Sequence, residues 1–126
     1  MQDGYRKYLE LGMLHSSDNL KRHRYGYLYL DYDMAVSFYV KAWNALKGSD
    51  QPVDPRAKMT VLHPLASALF NAGRKQESYD VCLYAKTIRK EPRVDALLRR
   101  LEGDGLFAVP SVAPDAVPPL LASNPV

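Results

Sequence analysis

The side chains equipped for catalysis or metal binding are few in this chain, and their spacing supports neither chemistry. His15, His23 and His63 lie far apart and match no metal-binding spacing, such as two histidines one helical turn apart. Neither a glycine-rich phosphate loop nor a serine in a nucleophile elbow occurs. The lone Cys82 cannot form an internal disulfide and falls on the apolar face of a predicted helix. It reads as a buried structural thiol, which implies a reducing compartment. The carboxylates stand at element ends, where helix capping accounts for them. The expectation is a non-catalytic protein without metal, cofactor or small-molecule substrate.

Surface chemistry is what remains. Positive charge gathers at Lys21-Arg22-His23-Arg24, at Lys86 with Arg89-Lys90, and at Arg93 with Arg99-Arg100, within a formal net charge of +3. Such clusters either meet phosphates and acidic peptides or form solvated helix faces. Of nine tyrosines, the majority fall early, at Tyr5, Tyr8, Tyr25, Tyr27, Tyr29, Tyr32 and Tyr39. A domain of this size does not bury so many rings, and interface cores favour Tyr over Lys or Glu. The N-terminal half is therefore expected to carry a partner surface. Lys21, Arg22 and Arg24 beside those rings also suit RNA, whose bases stack on aromatics while cations hold the backbone.

Helices must position these groups. Met1 to His15 carries an apolar stripe at Tyr5, Tyr8, Leu9, Gly12 and Met13, and Ser16-Ser17-Asp18-Asn19 supplies N-cap residues for a helix from about Leu20. Tyr25-Gly26-Tyr27-Leu28-Tyr29-Leu30 alternates like a strand. No second alternating segment exists to pair with it, so it is read as helix. Met34 to Lys47 is helical, with Ala35, Phe38, Tyr39 and Ala42 on one face. A loop from Lys47 to Asp54 follows, and Asp54-Pro55 then offers an N-cap and an N1 proline. The stripe Met59, Leu62, Leu65, Ala66 and Leu69 makes the next helix, which ends at Gly73. Pro64 within it predicts a kink or a fresh start. Gln76 to Lys90 repeats the earlier rhythm with Ser78, Val81, Cys82 and Ala85. Glu91-Pro92 opens a last helix with Val94, Leu97, Leu98 and Leu101 on its apolar face. Beyond Phe107 the recurring prolines Pro110, Pro114, Pro118, Pro119 and Pro125 predict an extended tail.

The rhythm shared by Ala35, Phe38, Tyr39 and Ala42 and by Ser78, Val81, Cys82 and Ala85 is self-similarity, the mark of stacked helical hairpins. Asp31-Tyr32-Asp33-Met34-Ala35 with Tyr39, Lys41 and Ala42 resembles the second-helix signature of tetratricopeptide repeats. Leu62, Leu65, Ala66, Leu69 and Gly73 sit where that family's first-helix packing residues and turn glycine belong. Ala42 and Ala85 are 43 positions apart, longer than the usual period of about 34, which is similar to the longer repeats of kinesin light chains. Arg22 and His23 depart from the pattern, standing where it has an apolar and a small residue. The resemblance implies an all-α fold of two stacked tetratricopeptide-like hairpins. An N-terminal helix, a C-terminal capping helix and an extended Pro-rich tail complete it.

It also implies a concave groove lined by the first helix of each hairpin. Positions facing away from the packing stripe are Thr60, His63, Ser67, Phe70 and Asn71 in one hairpin. In the other they are Leu20, Arg24, Tyr27 and Leu28. These residues, with Leu120 and Leu121 of the tail, are the expected partner-binding set; Lys21, Arg22 and Arg24 are the nucleic-acid alternative. Apolar residues at 47% and charged residues at 25% fit one globular domain, assigned to residues 1–107 with the tail at 108–126. No apolar run is long enough to span a bilayer, and the N-terminus reads as neither secretory nor transit peptide. The expected role is a protein–protein interaction scaffold and accessory subunit of a larger assembly. Its partners are other subunits or an extended peptide, in an intracellular, by default cytoplasmic, location or an organelle matrix. An RNA-contacting subunit of a ribonucleoprotein and a small secretion-type chaperone are the alternatives.

Overall fold

Helix starts follow the side-chain oxygens available to cap them. In the computed structural model, which describes residues 4–48, 54–104 and 118–122, Ser16 caps α2 (Ser17–Arg22) by accepting from the Asp18 amide. Asp31 caps α3 (Tyr32–Lys47), Asp54 caps α4 (Pro55–Asn71) and Glu91 caps α6 (Pro92–Gly103) in the same way. Each side chain satisfies an amide that the first helical turn leaves unpaired. The remaining elements are α1 (Gly4–Leu14), a 3-10 turn (Gly26–Leu28), α5 (Lys75–Ile88) and a single helical turn, α7 (Pro119–Ala122). The described residues contain no strand.

A Schellman motif turns α4 back into α5. The Arg74 amide donates to the Leu69 carbonyl at 2.9 Å and the Gly73 amide to Phe70 at 3.1 Å. Gly73 takes φ +81°, a left-handed conformation that suits glycine.

The helices stack in chain order. α1 lies along α3, α3 packs on α4, α4 pairs with α5, and α6 closes the far side. This gives two stacked hairpins, α1 with α3 and α4 with α5, capped by α6. The repeated small residues Ala35, Ala42, Ser78 and Ala85 are all buried, among Tyr39, Leu62, Leu65, Leu69 and Val81. Ser78 Oγ donates to the Ala66 carbonyl at 2.7 Å and so ties α5 to α4. At the α1–α3 crossing, Gly12 faces the Tyr39 ring, and a Cβ there would meet ring atoms at 2.5–2.9 Å.

Three expectations are corrected, and of the two alternatives at Pro64 the fresh helix start is excluded. The segment from Leu20 to Leu30 is not one helix. Asn19 Nδ2 donates to the Gly26 carbonyl at 3.3 Å, and Gly26 lies so close to Asn19 that a Cβ would stand 2.5 Å from its carbonyl oxygen. The chain is thus drawn into a loop after Arg22, and α1 takes the place of first helix in that hairpin. Pro64 does not end its helix; α4 runs through it, although Thr60 loses its usual i+4 amide donor. Phe38, expected in the core, is half-buried and stacks on the His15 ring at 5.7 Å. Of the tail, residues 119–122 are helical rather than extended. Leu121 is fully buried, and its carbonyl accepts from Lys47 Nζ at 3.1 Å.

Candidate functional site

Two surfaces stand out. The first is a groove of about 460 Å³ whose floor is α3 and α4 and whose walls are α2 and the α5–α6 connection. Four of the five outward positions expected on α4 line it: Thr60, His63, Ser67 and Asn71. They recur every three or four residues and so share one helix face. Phe70 does not join them. It packs against the core with Arg100 over its ring at 4.7 Å and Lys75 at 5.8 Å.

Arg56, Arg89, Arg93 and Lys21 also line the groove, facing the carboxylates of Asp18 and Glu91. Arg93 is held by Glu91 at 3.3 Å, a pairing that keeps the Glu91 carboxyl below its usual range. Arg56 and Arg89 make no ion pair with any described residue. His63 is half-buried; burial first, and the Arg93 charge second, hold its imidazole below its ordinary pKa, favouring the neutral ring. Tyr39 reaches the same groove from α3, fully buried, with a hydroxyl that has no hydrogen-bond partner. Burial pushes that phenol up to about 12, while the neighbouring Ser16 side chain acts in the opposite direction.

The sequence missed Arg56, Arg89, Arg93 and Tyr39 as groove residues. Arg56 was within reach, because it precedes Thr60 by one helical turn on the same face. Arg89 and Arg93 arrive only through the path of the α5–α6 connection, which no local pattern specifies. Tyr39 was assigned to packing, which is where its ring lies.

The second surface is apolar. Leu20, Tyr25, Tyr27, Leu28, Tyr29, Leu30 and Met34 are all exposed, with Tyr27 at 61% and Leu28 at 65%. Tyr25 to Leu30 lie on the loop and 3-10 turn between α2 and α3, with Leu20 on α2 and Met34 in the first turn of α3. Lys21 and Arg22 at the end of α2 and His23 and Arg24 just after it are all exposed, with the Arg24 guanidinium 5.8 Å from the Tyr25 ring centre. The backbone of the loop is pinned by Asn19 to Gly26, by the Asp31 amide donating to the His15 carbonyl at 2.9 Å, and by a 2.7 Å contact of His15 Nδ1 with the Tyr29 carbonyl. The expected site residues Arg24, Tyr27 and Leu28 therefore belong to this surface and not to the groove. Leu120 and Leu121, expected as partner anchors, turn inward: Leu121 is in the core and Leu120 packs half-buried against it.

Cys82 is buried and burial raises its thiol to about 12, so it stays protonated in the packed interior. Among the described residues no three His, Cys, Asp or Glu side chains gather in a metal-holding arrangement. No helix there is long and apolar enough to cross a membrane. Comparison with known proteins finds no matching family model and no significant similarity to a curated protein or a solved structure.

Proposed function

We propose that this chain is a non-catalytic docking module, an accessory subunit that binds a partner protein through the tyrosine-rich surface between α2 and α3. One observation carries the reading: seven large apolar side chains are exposed within the short stretch from Leu20 to Met34, whose backbone is fixed by internal hydrogen bonds. Scattered exposed apolar residues are ordinary, whereas a contiguous patch rimmed by charge marks a binding surface. Tyr and Arg are enriched in interface cores, where rings bury large areas at small entropy cost. The tetratricopeptide-like reading of the two hairpins rests on the paired small residues Ala35 with Ser78 and Ala42 with Ala85, all buried. A buried free thiol at Cys82 supports an intracellular, reducing setting.

The test is co-purification of the tagged full chain from its native cell, as wild type and as Leu28→Asp, each with and without nuclease. The substitution lies on an exposed side chain, so the fold persists. The expected result is a discrete protein complex that survives nuclease and is lost in the variant. A complex lost on nuclease treatment would replace this reading by the RNA-contacting one. A complex indifferent to Leu28→Asp would remove the patch as the interface.

A further inference from the structure

The basic groove shares only Lys21 with the tyrosine-rich surface. Arg56 stands in the first turn of α4 and Arg93 in the first turn of α6, and both line the groove. The carboxylates of Asp54 and Glu91 cap those two N-termini, so the guanidinium groups, not the helix ends, supply the positive charge here. Glu91 answers Arg93, while Arg56 and Arg89 have no carboxylate partner among the described residues. Across the groove lining, four cations face two carboxylates, an excess that matches a dianion better than a single carboxylate. A phosphate monoester carries about −1.5 to −2 at neutral pH and suits the planar fork of arginine.

Further along, the groove keeps unused hydrogen-bonding groups. His63, Ser67 and Asn71 make no side-chain hydrogen bond with described residues, and Pro64 frees the Thr60 carbonyl from its helical donor. From Arg56 to Asn71 this face runs about 22 Å at 1.5 Å per residue, the reach of roughly six or seven extended residues.

We propose that the groove binds a phosphorylated peptide segment of another protein, its phosphoryl group held by Arg56 and Arg89 and its backbone laid along α4 toward Asn71. Thr60's carbonyl accepts a peptide amide, and Ser67 and Asn71 meet peptide polar groups. Arg93, already engaged by Glu91, tightens the positive field more than it grips the ligand.

The probes are inorganic phosphate, a degenerate phosphoserine hexapeptide pool, the same pool unphosphorylated, and a short single-stranded oligonucleotide. Each is titrated into the isotope-labelled full chain by amide NMR. Phosphate is expected to shift the amides of Arg56, Ala57, Arg93 and Val94 weakly. The phosphopeptide pool should bind at least about tenfold tighter and extend the shifts along α4 to Asn71, because extra polar contacts add to charge-assisted bonds. Arg56→Gln and Arg89→Gln, both at exposed positions, should each weaken the pool about tenfold or more with unchanged circular dichroism. Absence of any shift with phosphate or pool overturns the site. Tighter binding of the pool that ignores both substitutions overturns the role of the arginines. Equal affinity for phosphate and pool overturns the peptide and leaves a small phosphate compound as ligand. An oligonucleotide that displaces the pool from these same amides overturns it in favour of nucleic acid.

Discussion

Replacing Gly12 by Ala tests the closest helix crossing in the molecule, and the sign of the result is the diagnostic. In an exposed helix interior Gly→Ala stabilises by about 0.8–1 kcal/mol through backbone entropy and propensity. Here the new Cβ would lie 2.5, 2.7 and 2.9 Å from three carbons of the Tyr39 ring, where the comfortable separation is about 3.5–4.0 Å. The ring cannot swing aside cheaply, because Tyr39 is wholly buried. Helix α1 must back away from α3 by about an ångström, or the ring must leave its rotamer. Overpacking of this kind costs about 1–3 kcal/mol, which exceeds the propensity gain over most of that range. Net destabilisation of up to about 2 kcal/mol is expected, which at about 3–6 °C per kcal/mol, between the figures for smaller and larger domains, is a fall of up to about 12 °C in Tm. Urea melts of the wild type, Gly12→Ala, Tyr39→Leu and the double variant close a thermodynamic cycle. In it Gly12→Ala should be milder, by about 1 kcal/mol, once the ring is gone. An alanine that stabilises the wild-type protein would refute the α1–α3 contact and the hairpin built on it.

Other outcomes follow from the same packing. Leu121→Ala should cost about 2–5 kcal/mol in denaturant melts, because Leu121 is fully buried; an unchanged midpoint would return α7 to the status of a passive tail. Ala42→Leu and Ala85→Leu should each overpack a helix crossing by about 1–3 kcal/mol, and unchanged melting of both would undo the repeat alignment. Cys82 and Tyr39 both have pKa values raised to about 12 from 9.0 and 10.0. The fold therefore holds their protons more tightly than the unfolded chain, so their contribution is complete below about pH 9. It is lost as pH rises toward 12, and alkaline melts with Cys82→Ala should show a shallower decline. His63 is shifted downward, so its contribution is present above pH 6.5 and lost on acidification below it; His63→Gln should flatten that acid limb.

Local chemistry made much of the fold legible. Asp31, Asp54 and Glu91 cap helices where an oxygen-bearing side chain precedes an apolar period, and Gly73 ends α4 because only a left-handed residue closes that turn comfortably. The core stripe Leu62, Leu65, Leu69 and the crossing alanines followed from helical spacing alone. What escaped was set by contacts between distant segments. The alternation of Tyr25 to Leu30 fits strand and helix equally poorly, and the bond from Asn19 to Gly26 decides for a loop. Leu120 and Leu121 looked free among prolines, yet a single helical turn returns them to α3. The groove residues of α4 were visible as the complement of its packing stripe. The arginines beside them depend on how the α5–α6 connection folds back.

Photo-crosslinking tests the central claim most directly. Benzoylphenylalanine placed at Tyr27, with Glu10 on the exposed face of α1 as the control position, would be irradiated in the native cell with the full chain intact. The docking reading predicts a discrete protein adduct at Tyr27 that is absent at Glu10 and lost when Leu28→Asp is added. A Tyr27 probe that yields no adduct, or the same adducts as Glu10, would contradict it.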